Sequence, residues 1–231
     1  MDIKKMMEKL IAFVPPMAVY LVFAVLRPET FLSGGTLLMI FMQSIQSAII
    51  AWGISFNMTA GVVDFSVGAE IALAGVAGVY LSRLMGVWGI VLGALACTMV
   101  VGLFKAIVMD AVKVNSMVIS IAFTYIIASL SALAASKTTL VVSAKDTMLG
   151  ELPFLVAIFI VMGGLMYLLN KYSTFGAKVR AIGGNETIAI SSGIRPNRIR
   201  FMTVMIASFY MAVAAIIQVS RGAGAAATQG L

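Results

Sequence analysis

Long apolar segments separated by short polar ones form the dominant pattern along this chain. A helix of about 20 mostly apolar residues is long enough to cross the hydrocarbon core of a bilayer. The pattern predicts seven spans, at residues 10–26, 36–58, 67–81, 87–109, 116–135, 152–170 and 201–219. The third span is short, and the alternative there is a re-entrant segment. We therefore expect an all-α, polytopic transmembrane helical bundle that forms a single domain over residues 1–231.

Composition agrees with a membrane protein. Charged residues make up 11% of the 231 residues, whereas a soluble domain carries about 25%, and the mean hydropathy is +1.07. The first apolar run follows a short basic head, so a cleaved signal peptide is the alternative there. We expect an uncleaved span instead, because the run is long and no small-residue cleavage site precedes Arg27. Pro15 and Pro16 should kink this helix or set its start.

The basic residues indicate the orientation of the spans. Cytoplasmic loops of membrane proteins carry an excess of lysine and arginine. Six of the 16 basic residues fall in the loop at 171–200, namely Lys171, Lys178, Arg180, Arg195, Arg198 and Arg200. If the N-terminus is cytoplasmic, eleven basic residues lie on the cytoplasmic side: these six and Lys4, Lys5, Lys9, Lys105 and Lys113. The other five lie on the outer side: Arg27, Arg83, Lys137, Lys145 and Arg221. This bias accounts for the net charge of +7, so nucleic acid is not an expected partner.

The middle of the basic loop is predicted to form a short helix. Asn185 is a favourable N-cap residue, and Glu186 follows in the first turn, where the helix dipole favours an anion. Gly193 lies where a left-handed residue ends a helix, and Pro196 prevents continuation. Roughly two turns are too short to be stable alone in water, so this helix requires a partner surface. The alternative is a solvated loop with no partner.

A break between the second and third spans is the other unusual segment. The sequence TAGVVDFSVG at 59–68 puts Asp64 and two glycines between apolar runs, and irregular backbone at membrane depth must be buried in protein or line a cavity. Asp64 and Ser66 are expected to cap the helix that follows. Glu70 would compensate the dipole of that helix. Asp64 and Glu70 are six residues apart, which corresponds to about 240° around a helix, so their carboxyl groups are not expected to share a face. Direct contact with a solute is the alternative role for Asp64.

Other polar and small residues have predicted roles inside the spans. Polar groups at membrane depth line a pathway or join helices, and both roles are open for Gln43, Ser44, Gln46 and Ser47 of the second span. Lys105 is expected to extend its ammonium group to the membrane interface, and Gly89 with Gly93 should allow close helix packing.

Side chains for most enzymatic chemistry are scarce. The chain has no histidine and one cysteine, Cys97, so neither a catalytic triad nor a Cys/His metal site can form, and no metal or cofactor is expected. The LSGG sequence at 32–35 resembles the signature loop of ABC ATPases. It is not expected to bind nucleotide, since the chain lacks the accompanying G-x-x-x-x-G-K-[ST] loop.

Two motifs together resemble the ribose-type permeases of ABC transporters. The segment at 59–68 is similar to that family's TGGIDLSVG, and AIGGNE at 181–186 followed by SGI at 192–194 is similar to its second conserved loop. Weaker matches are Ala51-x-Gly53 and Lys113-Val114-Asn115. The chain departs from the family pattern at Ala60, Val63, Glu70 and Thr187-Ile188, and it is shorter by about three spans, so we expect that it lacks the family's last spans.

The resemblance implies a permease subunit that binds no ATP and imports a simple sugar or related small polar solute across the inner or plasma membrane. It also implies that the broken helix lies beside the translocation pathway, which we expect along Asp64, Ser66, Gly68, Gln43, Gln46 and Asn57. Its implied partners are cytoplasmic ABC ATPase subunits, a second permease subunit, an extracytoplasmic solute-binding protein and the lipid bilayer. Residues 185–193 would be the helix that docks on the ATPase, and Gly183-Gly184 the turn leading into it, which gives the coupling residues Gly183, Gly184, Asn185, Glu186, Ala189 and Gly193. The alternatives are a secondary transporter and a non-transporting scaffold or truncated remnant.

Overall fold

A computed structural model describes residues 3–112, 114–136 and 146–221, with side chains described at residue 11 and from residue 13 onward. These residues form α1 (Ile3–Leu26), α2 (Pro28–Phe31), α3 (Gly34–Thr59), α4 (Val67–Met85), α5 (Val87–Ala111), α6 (Ser116–Ser136), α7 (Leu152–Lys171), α8 (Thr174–Gly184), α9 (Glu186–Ser191) and α10 (Pro196–Ser220). The described residues contain no strand, and the predicted all-α fold is confirmed. Lys113, Lys137, Lys145 and nearly all of the tail at 220–231 lie outside the described residues.

Within those described ranges, six helices are long and apolar enough to cross a membrane: α3, α4, α5, α6, α7 and α10. They correspond to the predicted second to seventh spans, and the short third one extends to 19 residues in α4. The predicted first span is α1, which has a shorter apolar part at Phe13–Leu26. Pro15 and Pro16 lie inside α1, so they do not set its start.

The contacts divide the chain into two units, residues 1–44 and 45–231. In the first unit, the Tyr20 hydroxyl donates a hydrogen bond to the Phe31 carbonyl at 3.2 Å, and the Phe23 and Phe31 rings stack with centroids 5.3 Å apart. The connection at 27–35, between the predicted first and second spans, therefore contains the one-turn helix α2, which packs on α1. Gly34 and Gly35 of the LSGG sequence already belong to α3.

In the second unit, α4 and α5 pack closely and α10 is the most deeply buried of the six long helices. A Cβ atom at Gly89 would lie 2.2 Å from the Leu81 carbonyl oxygen, and one at Gly93 would lie 2.7 Å from the Ala77 carbonyl oxygen. The predicted close packing through these two glycines is therefore confirmed. On α10, Tyr210 is fully buried and donates a hydrogen bond to the Met162 carbonyl at 3.1 Å.

The helices of the second unit run back and forth between two ends. At the first, which we call the basic end, the last turn of α3 meets α8 and the first turn of α10. At the opposite end, Gly150 approaches the Ser220 carbonyl and Gly86 approaches Asp146. Because both predicted motifs lie at the basic end, the fold brings the break and the short helix α9 close together.

Candidate functional site

Helix α3 stops at Thr59 and α4 begins at Val67, which leaves the irregular segment 60–66, called the break below. Gly61 has a φ of 77°, a left-handed conformation that glycine adopts without the steric cost other residues meet. The Val63 amide donates a 3.1 Å hydrogen bond to the Ser116 hydroxyl, so the first turn of α6 holds the break. The predicted break near residues 59–68 is confirmed.

A buried cluster of charges anchors the far end of the break. The Lys105 ammonium lies 2.7 Å from Asp64 Oδ2, 2.7 Å from Glu70 Oε2 and 3.2 Å from Ser66 Oγ. The side chains of Asp64, Glu70 and Lys105 are each 1% exposed. We call Asp64, Ser66, Glu70 and Lys105 the ion cluster. One ammonium group contacts two carboxyl groups here, so the cluster ties the break and the start of α4 to the last third of α5.

Three predictions about these residues are wrong. Lys105 does not extend to the membrane interface: its side chain is 1% exposed. Asp64 and Glu70 both contact the Lys105 ammonium nitrogen, although they were expected to lie on different faces of one helix. Asp64 precedes α4, so the helical angle of 240° does not apply to it. Neither Asp64 nor Ser66 caps α4 with its side chain. Instead, Asp64 Oδ1 accepts hydrogen bonds from the Ser66 amide at 2.9 Å and the Ser66 hydroxyl at 2.7 Å.

The residues predicted to line a pathway are only partly brought together. Among them, Asp64 and Ser66 are in direct contact. Gln43 is exposed in the first unit, and the Gln46 amide nitrogen lies 3.5 Å from the Gln218 amide oxygen on α10. Gly68 faces open space. Asn57 is fully buried, and within the described part of the chain neither atom of its side-chain amide has a partner, as is also true of Glu70 Oε1.

The loop after α7 contains the predicted short helix. Asn185 caps α9, since its Oδ1 accepts a 3.1 Å hydrogen bond from the Ile188 amide. Gly193 has a φ of 79°, and Pro196 opens α10. The predicted cap, left-handed residue and stop are therefore confirmed.

An additional helix, α8, precedes α9 and was not predicted. Ser173 caps it by accepting a 2.9 Å hydrogen bond from the Gly176 amide. Gly183 and Gly184 lie in its last turn, so the expectation that they form a turn leading into α9 is wrong. A Cβ atom at Gly183 would lie 2.2 Å from the Thr59 carbonyl oxygen. The glycine thus allows α8 to press on the backbone where α3 ends. The Ser173 N-cap was the sequence signal for α8.

Helix α9 rests on the basic end by one face. Ala189 is buried in an apolar cluster with Phe56 of α3, Ile182 of α8 and Ile199 of α10. Its neighbours Ile188 and Ile190 are 63% and 54% exposed. The buried face explains how a helix of six residues is held in place, and the other face presents two isoleucines outward.

Arg200 joins α9 to the break, a contact that sequence reasoning missed. Its Nη2 lies 2.8 Å from Glu186 Oε2 at the start of α9, and its Nε donates a 3.2 Å hydrogen bond to the Ala60 carbonyl. The carbonyls that end a helix have no partner within it, and arginine is a common donor to them. One planar guanidinium group therefore satisfies the end of α3 and pairs with α9 at the same time.

A cavity of about 350 Å³ opens beside Arg200. Its wall is formed by part of the break, the C-terminal end of α5, the N-terminal end of α6 and the first turns of α10. The polar side chains of the lining are Asp110, Asn115, Ser116, Asn197 and Arg200. These carboxyl, amide, hydroxyl and guanidinium groups supply both hydrogen-bond donors and acceptors for a small polar molecule.

Comparison of the sequence with known protein families identifies a class of transport protein. The profile described as "Branched-chain amino acid transport system / permease component" matches residues 36–230. The chain belongs to this family of permease components, and it is a multi-pass membrane protein.

Individual relatives agree with that assignment. The chain is 29% identical over 234 residues to the ribose import permease protein of Bacillus subtilis, covering 97% of this chain and 72% of the relative. It is 27% identical over 202 residues to the fructose import permease protein of Bifidobacterium longum, covering 79% and 54%. It is 27% identical over 187 residues to the L-arabinose ABC transporter permease protein of Azospirillum brasilense, covering 74% and 53%. It therefore spans between about half and about seven tenths of their length. No solved structure matches.

Proposed function

We propose that this chain is the membrane-spanning subunit of an ATP-driven ABC importer for a simple sugar or a related small polar solute. The observation that carries the proposal is membership of the permease family over residues 36–230. The family description names branched-chain amino acids, but the three relatives described above are named for ribose, fructose and arabinose. We favour a sugar for this reason, and the polar lining of the cavity beside Arg200 supports it.

Helix α9 is proposed as the docking element for a cytoplasmic ATPase. Ala189 fixes it to the bundle, Asn185 and Gly193 set its two ends, and the exposed Ile188 and Ile190 supply apolar contact area for the partner. Gly183 allows α8 to approach α3 beneath it, Gly184 is the last residue of α8, and Glu186 pairs with Arg200. The ATPase subunits hydrolyse ATP in this proposal, while a second permease subunit and an extracytoplasmic binding protein complete the importer.

The basic end is proposed to face the cytoplasm, with the N-terminus on the same side. The loop at 171–200, which carries six lysine and arginine residues, lies at this end, whereas Arg83 and Arg221 lie toward the other. Positive residues are retained on the cytoplasmic side of membranes. A translocation pathway along Asp64, Ser66, Gly68, Gln43, Gln46 and Asn57 remains part of the proposal, as does a single permease domain over residues 1–231.

The test compares sugar uptake by the native host with uptake by a strain that lacks this chain. Cells are given labelled ribose, arabinose or fructose in turn. We expect deletion to remove one component of uptake, and that component should be blocked by vanadate, which inhibits ABC ATPases, and should survive an ionophore that collapses ion gradients.

Each other outcome supports one of the alternatives. An ionophore-sensitive, vanadate-insensitive component would indicate a secondary transporter. Unchanged uptake of these sugars and of branched-chain amino acids would indicate a scaffold or a remnant that does not transport. Loss of amino-acid uptake alone would retain the ABC permease and overturn the sugar assignment.

A further inference from the structure

We propose that Arg200 is a positioning residue that transmits movement of α9 to the break between α3 and α4. This inference rests on the proposed function in one respect, that α9 docks on an ATPase. It assigns a role to a side chain that neither motif contains, and it follows from contacts within the second unit alone.

Two separate contacts converge on adjacent residues at the end of α3. Arg200 holds the Ala60 carbonyl through Nε while its Nη2 pairs with Glu186 of α9. On the neighbouring residue, the Thr59 carbonyl abuts Gly183 of α8 with no room for a Cβ atom. Displacement of α8 and α9 toward the bundle therefore pushes on Thr59, and displacement away from it pulls on Ala60 through Arg200.

The break is suited to convert such a displacement into a local change. Its near end is held by Arg200 at Ala60, and its far end is held by Lys105 at Asp64. The residues between them make no helix, and Gly61 adds freedom at the near end. A segment fixed at both ends and irregular between them changes its backbone angles when one end moves, whereas a packed helix moves as a unit.

The cavity gives this movement a consequence for a solute. Gly61, Val62 and Arg200 all belong to its wall, so a shift of the near end of the break changes the shape of the cavity. Arg200 thus contacts the docking helix, the break and the cavity at the same time. Energetic coupling between sites passes through packed and hydrogen-bonded groups of this kind when they have two discrete arrangements.

The first experiment measures solute transported per ATP hydrolysed by the assembled transporter in vesicles. Arg200→Ala should leave ATP hydrolysis near the wild-type rate and lower this ratio roughly fivefold, the lower range of typical coupling effects. Glu186→Gln should lower it in the same direction, and the double variant should fall no further than Arg200→Ala, since both act through one link. Arg200→Lys should recover part of the ratio. Arg198→Ala, which removes an exposed arginine from the same turn of α10, should change nothing.

A second experiment needs no transport, so the two proposals fail separately. Hydrogen exchange is followed at 60–66 and 185–191 in the chain alone, in lipid nanodiscs. Arg200→Ala should speed exchange in both segments and Arg198→Ala in neither. Equal exchange in all three proteins, or a transport ratio unaffected by Arg200→Ala, would overturn the role of Arg200. If wild-type vesicles show no ATP-driven uptake, the proposed function is overturned. The hydrogen-exchange result would still show whether Arg200 links α9 to the break.

Discussion

Replacing Lys105 with methionine is expected to destabilise the protein by about 3–5 kcal/mol, the usual cost of removing one partner from a buried ion pair. The substitution would leave the carboxylates of Asp64 and Glu70 buried with no cation between them. Methionine fills much of the same volume, so the loss would report the charge and not a cavity. Thermal unfolding in detergent, followed by tryptophan fluorescence, measures the effect.

Two further variants separate the charge from other causes. Lys178→Met removes an exposed lysine from α8 and should leave the melting temperature within about a degree of wild type. Combining Lys105→Met with Asp64→Asn and Glu70→Gln removes all three charges together and should restore most of the lost stability. If Lys105→Met melts like Lys178→Met, the cluster does not anchor the break as described.

Replacing the six residues of α9 with a Gly-Ser linker of equal length is expected to abolish ATP-driven uptake. The linker would remove the apolar contact area of Ile188 and Ile190 and the anchoring side chain of Ala189. Because the long apolar helices remain unchanged, the protein should still insert into the membrane at the wild-type level. Radiolabelled sugar uptake, quantified against the amount of inserted protein, measures the result.

A matched pair of variants shows whether the lost contact is with the ATPase. Ile188→Ala with Ile190→Ala should reduce co-purification of the ATPase roughly tenfold or more, since truncating an exposed apolar anchor in an interface costs on the order of 1–2 kcal/mol per residue. Tyr172→Ala, which truncates an exposed aromatic residue just before α8, should not reduce it. Full uptake in the linker variant would contradict the docking role of α9.

Features encoded within a few residues were predictable from the sequence. The spans follow from uninterrupted apolar runs. The start of α9 follows from the Asn185 cap and its end from the left-handed Gly193 and Pro196, because each of these residues affects only the backbone next to it. Helix α8 is harder to predict, because apart from the Ser173 N-cap its mixed polar and apolar sequence is also typical of a loop.

Contacts between distant residues could not be derived in this way. Lys105 and Asp64 are 41 residues apart, and the rule that a lysine near a helix end reaches the interface gave the wrong result because it considers one helix alone. The Arg200 contact with Ala60 joins residues 140 apart. Local patterns do not specify which elements meet in three dimensions, so the ion cluster and the link through Arg200 required the structure.

The most direct test of the account asks on which side of the membrane α9 lies. Ile188→Cys in a Cys97→Ser background introduces one exposed thiol on α9, and Trp88→Cys in the same background introduces one at the opposite end of the second unit. A membrane-impermeant maleimide is added to right-side-out and to inside-out vesicles. We expect residue 188 to be labelled only in inside-out vesicles and residue 88 only in right-side-out vesicles. Labelling of residue 188 in right-side-out vesicles would put α9 outside the cell and contradict its role as the docking element for a cytoplasmic ATPase.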